Sequence, residues 1–134
     1  MLRHPVGAAT LRRLVAVSHG LIVVDANLRP PHTSPNAVDW AVGVANLLKM
    51  NALEAAAITV PDGIEWVCVT HGAEGATLRR RDGRQWEAPA VPSVVVDTVG
   101  AGDAFLAALL DGLIAGDDPG GALTEANRTA ARVV

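Results

Sequence analysis

A chain of 134 residues is long enough for one domain with a real core. Half of it is hydrophobic, yet it holds one Phe, three Trp and no Tyr, so the core must be built from Ala, Val, Leu and Ile. The net charge of −3 excludes a general attraction to nucleic acid or to an anionic membrane, and a single cysteine, Cys68, excludes an internal disulfide. That cysteine sits in the apolar run Trp66-Val67-Cys68-Val69, which predicts a buried, inert thiol in a reducing compartment. No apolar run approaches the roughly 18 residues of a membrane span. Arg3 and His4 are not followed by the hydrophobic stretch of a secretory signal. The expected location is the cytoplasm.

Apolar positions Leu11, Leu14, Val15 and Val17, with Arg12 and Arg13 between them, predict an amphipathic helix over 7–18, closed near Gly20. Leu21-Ile22-Val23-Val24 is a continuous apolar run ending at Asp25, which predicts a strand covered on both faces. Pro30, Pro31 and Pro35 enforce a loop, and Ser34 or Asn36 can cap a helix to about Val44. Asn46–Met50 reads as a short strand and Ala52–Ile58 as a helix. Pro61-Asp62-Gly63 is a turn. Strands follow over Glu65–Thr70, Ala76–Arg79 and Gln85–Ala88, the last two joined by Asp82-Gly83 as an antiparallel hairpin. Val94-Val95-Val96 reads as a further strand end, followed by a helix from Asp103 to about Ala115 and another from Pro119 onward. Strands alternating with helices predict an α/β fold with a parallel sheet.

The segment Asp97-Thr98-Val99-Gly100-Ala101-Gly102-Asp103 lies between a β-branched run and an apolar helix. Strand, glycine turn and helix follow in order. Small residues leave the backbone N–H groups of Gly100, Ala101 and Gly102 unscreened at the mouth of a helix, where an anion is favoured. The carboxylates at either end add a base and a cation ligand, the parts that phosphoryl transfer uses. The bland alternative is that Asp103 only caps the helix.

This heptad resembles the D-T-x-G-A-G-D signature of the ribokinase-like (PfkB) carbohydrate kinases, and every specified position is met. The resemblance implies Asp103 as catalytic base and Gly100, Ala101 and Gly102 as the anion hole. It places Asp97 and Thr98 beside the nucleotide and a monovalent-cation (K⁺) site. Asp25-Ala26-Asn27-Leu28-Arg29 resembles the D-P-N-x-R segment of fructokinase-like members, with Ala26 in place of Pro, and makes Asn27 and Arg29 substrate-side residues. The alternative there is a polar turn held by Asn27 and proline.

Asn51-Ala52-Leu53-Glu54 matches the family's N-x-x-E, which implies that Asn51 and Glu54 reach Mg²⁺ through its waters. A reciprocal helix cap made by the same two residues is the alternative. Thr70-His71-Gly72-Ala73-Glu74-Gly75 resembles T-x-G-x-x-G, which implies that Thr70, Gly72 and Gly75 lie against ATP; an ordinary strand-to-hairpin turn is the alternative. Ala126-Asn127-Arg128 resembles the helix bordering the adenine, with Asn127 as the residue carried over. Lys49 is the only lysine and leaves little room for a lysine-centred phosphate site. Arg79-Arg80-Arg81 reads as a solvated hairpin end.

The resemblance runs from about Leu21 to the C-terminus and covers the family's C-terminal half. The expected architecture is therefore a ribokinase-like three-layer α/β/α fold with a mostly parallel sheet, present in part, with residues 1–134 forming the nucleotide-binding and catalytic-base portion of a kinase domain. Two functions stand. One is an ATP-dependent carbohydrate kinase that transfers the γ-phosphate to a sugar hydroxyl, with ATP, Mg²⁺ and a small sugar as its partners. The other is a non-catalytic nucleotide-binding or oligomerising remnant of such a kinase. A strand run lacking its sheet neighbours also predicts a bare apolar edge and association into a homo-oligomer.

Overall fold

Runs of Val, Leu and Cys form three parallel strands, β1 (Val23–Asp25), β2 (Leu47–Asn51) and β3 (Trp66–Thr70). The structure, a computed structural model, describes residues 5–28, 34–92 and 99–133. The expected strand at Val94–Val96, and Arg29, Asp97 and Thr98, lie outside the described residues. Strands β4 (Ala76–Arg80) and β5 (Gln85–Ala88) continue the sheet as an antiparallel hairpin, giving the order β1-β2-β3-β4-β5. The helices are α1 (Pro5–Val17), α2 (Pro35–Val44), α3 (Ala52–Ala57), α4 (Ala101–Ala115) and α5 (Pro119–Ala131). A short 3₁₀ turn, Gly72–Glu74, joins β3 to β4.

Side-chain alternation along the strands sorts the core into two layers. Leu48, Met50 and Val67 face α2 and α3, meeting Val42 and Ala55. On the opposite face Cys68 and Leu78 meet Phe105 and Leu109 of α4 and Leu123 of α5. The result is helix, sheet, helix. Gly112 permits the close crossing of α4 and α5, since a Cβ there would lie 2.7 Å from the Cβ of Ala122. With Tyr absent and Phe scarce, the layers are filled mainly by Leu, Val, Ala and Met, with Phe105, Trp66 and Trp86 packed on the α4 side.

Two expectations are corrected here. The run Leu21–Val24 is not covered on both faces. Leu21 lies outside the strand and is 52% exposed, while Val23 and Val24 are half-buried. The reason is position: among the described residues β1 pairs with β2 alone and forms the sheet's edge. Val6, Leu14 and Val17 of α1 are also exposed, while Leu11 and Val15 are partly buried. The second correction concerns α4, which begins at Ala101 rather than Asp103. Elsewhere the expected elements fall within a few residues of their places. The arginines at the hairpin end are tied locally: Arg80 and Arg81 pair with Glu65, and Arg84 pairs with Asp82.

Candidate functional site

Parallel strands that end together leave their C-terminal ends facing one crevice, where open α/β sheets place ligands. Here those ends are Asp25, Asn51 and Thr70. The mouth of α4 lies beside them: Ala101 and Gly102 line a cavity together with Thr70, and Gly102 lies close to Lys49 Nζ. Gly100 is its N-cap, with φ +84°, a left-handed conformation that an L side chain resists. The first intrahelical bond runs from the Ala104 N–H to the Gly100 carbonyl at 2.9 Å. The N–H groups of Ala101, Gly102 and Asp103 precede it and therefore have no acceptor within the helix.

Asp103 is exposed and lies in this first turn, not at the cap. The simple capping alternative is thereby removed: Gly100 holds the N-cap position. Gly102, by contrast, has an ordinary helical φ, so the left-handed requirement of the turn belongs to Gly100 alone.

A cavity of about 570 Å³ opens beside this turn. It is lined by Thr70, Gly72, Gly75, Ala101, Gly102 and Asn127, and also by Phe105. Six residues nominated from separate motifs thus meet at one largely apolar hollow, of the size that holds a small organic ligand. The turn is closed by bonds from the His71 N–H to the Gly75 carbonyl and from the Gly75 N–H to the Gly72 carbonyl. Thr70 Oγ1 donates back to the Met50 carbonyl at 3.4 Å.

Asn127 is buried, and its amide N–H₂ donates to both the Ala88 and Pro89 carbonyls at 3.0 Å. It fastens the segment after β5 to α5, and that segment supplies the Ala90 and Val91 wall of the cavity. Replacing Asn127 by Ala strips both carbonyls of their donor. The expected cost is about 2–3 kcal/mol, read as a lower midpoint in urea unfolding. A change under about 0.5 kcal/mol, the usual range for surface substitutions, would mean that the wall is held by other contacts.

Asn51 and Glu54 do not stand free. Asn51 Oδ1 accepts the Glu54 N–H and Glu54 Oε2 accepts the Asn51 N–H, each at 2.9 Å. This is the reciprocal cap. Glu54 Oε1 also accepts the Leu28 N–H at 2.6 Å, which ties the loop after β1 to α3. Each carboxylate oxygen retains a second lone pair. Among the described residues no group of three or more His, Cys, Asp or Glu could hold a metal ion directly. Asn51 and Glu54 offer remaining lone pairs that could accept from the waters of a hydrated cation, but they form no direct cage. Asn27 is exposed with φ +38°, a backbone state that Asn tolerates better than most residues.

Sequence reasoning set Lys49 aside, and the structure brings it into the site. Lys49 is 8% exposed, and its Nζ lies 2.7 Å from Asp25 Oδ2. A Cβ built on Gly102 would come within 3.1 Å of that nitrogen. The signal available in the sequence was a lone lysine inside the apolar run Leu47-Leu48-Lys49-Met50. Cys68, its register partner on β3, has its thiol pushed up to about 12, first by burial, with the Lys49 charge pulling the other way. The thiol therefore stays protonated and inert.

Residues 10–134 match the pfkB family of carbohydrate kinases, and the chain belongs to that family. A fructosamine kinase of Bacillus subtilis is 40% identical over 70 residues, covering 52% of this chain and 24% of that protein. A fructokinase of Klebsiella pneumoniae is 33% identical over 131 residues, covering 83% of this chain and 42% of that protein. Among solved structures, the nucleoside kinase of Burkholderia thailandensis in complex with inosine superposes with a TM-score of 0.79 at 26% identity, covering 92% of this chain and 43% of that one. The aminoimidazole riboside kinase of Salmonella enterica, complexed with its riboside and an ATP analog, gives 0.75 at 26% identity, covering 95% and 50%. The chain therefore spans half or less of these relatives. The fold is that of the ribokinase family, present in part. No helix among the described residues is long and apolar enough to cross a membrane.

Proposed function

We propose that this chain is the nucleotide-binding and catalytic-base portion of an ATP-dependent kinase acting on a sugar or a sugar-like hydroxyl compound. The observation that carries the reading is the cavity in which Thr70, Gly72 and Gly75 meet the mouth of α4. In this reading the base of ATP occupies the apolar hollow against Phe105, and its phosphates extend to the N–H groups of residues 100–102. The sugar hydroxyl attacks the γ-phosphorus. Its proton passes to the Asp103 carboxylate as the new O–P bond forms and the bond to the β-phosphate oxygen breaks, so that ADP leaves. The helix mouth stabilises the charge on the transferring group.

Mg²⁺ would be held through water by Asn51 and Glu54, and it would supply charge neutralisation between the phosphates. A monovalent cation would sit near Asp97 and Thr98. Asn27 and Arg29 would face the sugar. The curated relatives act on fructosamine and fructose by name, which supports a small polyhydroxylated acceptor.

Calorimetric titration with ATP and MgCl₂, followed by a panel of sugars with ADP release as readout, tests the proposal. Saturable ATP binding, then sugar-dependent ADP release, is expected. No ATP binding would overturn it. The second reading, a nucleotide-binding or oligomerising remnant, draws on β1, which among the described residues pairs on one side only, and on the exposed α1 residues. It requires ATP binding without turnover on any sugar.

A further inference from the structure

We infer that Lys49 is a phosphate-contacting residue of the proposed nucleotide site, held at the mouth of α4 by Asp25. The inference rests on the nucleotide reading above and extends it to a residue outside the signature motifs. A lysine in a central strand is an unusual core residue, because burying an ammonium is costly unless it is paired. Strand register explains how this one is placed. Asp25, Lys49 and Cys68 are register partners across β1, β2 and β3, so their side chains share the face that α4 covers. On that face the ammonium is 2.7 Å from the Asp25 carboxylate and 3.1 Å from a Cβ built on Gly102. The lysine end of the pair therefore approaches Gly102, one of the small residues that line the cavity.

A pair at this location does more than fill space. Replacing a buried ion pair by apolar residues is often neutral or stabilising, so the pair is weak evidence for a stability role. The ammonium carries three N–H donors, and the carboxylate takes one of them along the 2.7 Å contact. An ammonium in that position can serve a carboxylate and a phosphate oxygen together. The absence of a side chain on Gly102 is what lets the two approach. Asp25, at the end of β1, is the positioning residue, and it links the loop of Asn27 to the phosphate turn.

Calorimetry with two probes, ATP and adenosine, tests this. Adenosine reports the base cavity alone, and the ratio of the two affinities reports the phosphate contact. Lys49→Met leaves Asp25 as a half-buried carboxylate without its partner, so the paired variant Asp25→Asn/Lys49→Met, which removes both charges, is measured beside it. Thermal melting confirms that each variant folds. In the paired variant ATP affinity should fall about tenfold to a hundredfold, the size of a hydrogen bond to a charged group, while adenosine affinity stays within twofold. Asp25→Asn alone keeps an acceptor for the ammonium but removes its counter-charge. It should raise the ATP-to-adenosine ratio several-fold, and that effect should vanish when Lys49→Met is added.

An unchanged ratio in the folded paired variant overturns the phosphate contact. Equal losses of ATP and adenosine overturn it as well, since they mean a distorted cavity. An Asp25→Asn effect that persists without the lysine overturns the positioning role. If the unmodified chain takes adenosine but shows no preference for ATP, the inference fails while the base cavity stands. If it takes neither probe, the nucleotide reading falls and the inference falls with it.

Discussion

Replacing Asp103 by Asn is expected to lower phosphoryl transfer by about 10²–10⁴, the range for loss of a general base, while ATP affinity changes no more than a few-fold. The amide keeps the size and polarity of the carboxylate but cannot accept the hydroxyl proton. Stability should hardly move. Asp103 is exposed in the first turn of α4 and does not cap the helix, so the substitution removes only its favourable interaction with the helix dipole. That interaction is worth about 0.3–1 kcal/mol at a surface. Single-turnover ADP release, with the sugar identified by the panel, is the measurement. Near-normal turnover in the Asn variant would reduce Asp103 to a partner of the dipole and remove the base from the mechanism.

The strands and helices were legible because their signals are local. Val67-Cys68-Val69 and Leu47-Leu48 are apolar runs between turn residues, and Asp82-Gly83 fixes the hairpin that follows. The run Leu21–Val24 was legible as a strand with an unpaired edge, but its burial was not: Leu21 is exposed and Val23 and Val24 are only half-buried. A continuous apolar run says that a strand belongs between neighbours, not that both neighbours lie within the same stretch of chain. The start of α4 moved for a different reason. Gly100 takes the cap through its backbone conformation, and capping expectations built on side-chain acceptors do not detect that.

In the site, the glycine turn was legible as a pattern of small residues, and the structure adds that Gly100 carries the left-handed φ while Gly102 gives room to Lys49. The competition between metal ligation and capping at Asn51 and Glu54 could not be resolved by spacing, because both uses need the same separation of three along one helical face. The geometry supplies the cap, with the metal role added as a proposal. Lys49 was hidden because its partners are distant in sequence. Asp25 lies 24 positions away, and Gly102 is reached only through the crossing of α4 over the strand ends. Asn127, expected beside the adenine, lines the cavity, and its N–H₂ group also ties the Ala88 and Pro89 carbonyls to α5.

Gly75→Ala should be the most damaging of the single-methyl substitutions, by about 3–5 kcal/mol when backbone strain and overpacking are combined. Gly75 has φ +104° and ψ −139°, a region that L residues rarely enter. Space adds a second penalty. A Cβ at Gly75 would lie 2.1 Å from the Ala88 carbonyl oxygen, 2.7 Å from the Ala90 nitrogen and 2.8 Å from the Pro89 carbonyl carbon. All of these are backbone atoms, so no rotamer change relieves them. The segment cannot retreat cheaply, because Asn127 ties it to α5 by two hydrogen bonds. A loss of this size is a large part of the 5–15 kcal/mol that ordinarily separates folded from unfolded chains. Gly83→Ala is the control, since φ is +89° there but nothing lies within 4 Å of the added methyl. It should cost only the strain, about 1–3 kcal/mol. Urea unfolding of the two variants separates strain from collision, and ATP titration of the folded fraction should show weaker binding only for Gly75→Ala, whose wall segment lines the cavity. Equal destabilisation by the two would mean that the segment after β5 yields freely and does not fix the shape of the nucleotide pocket.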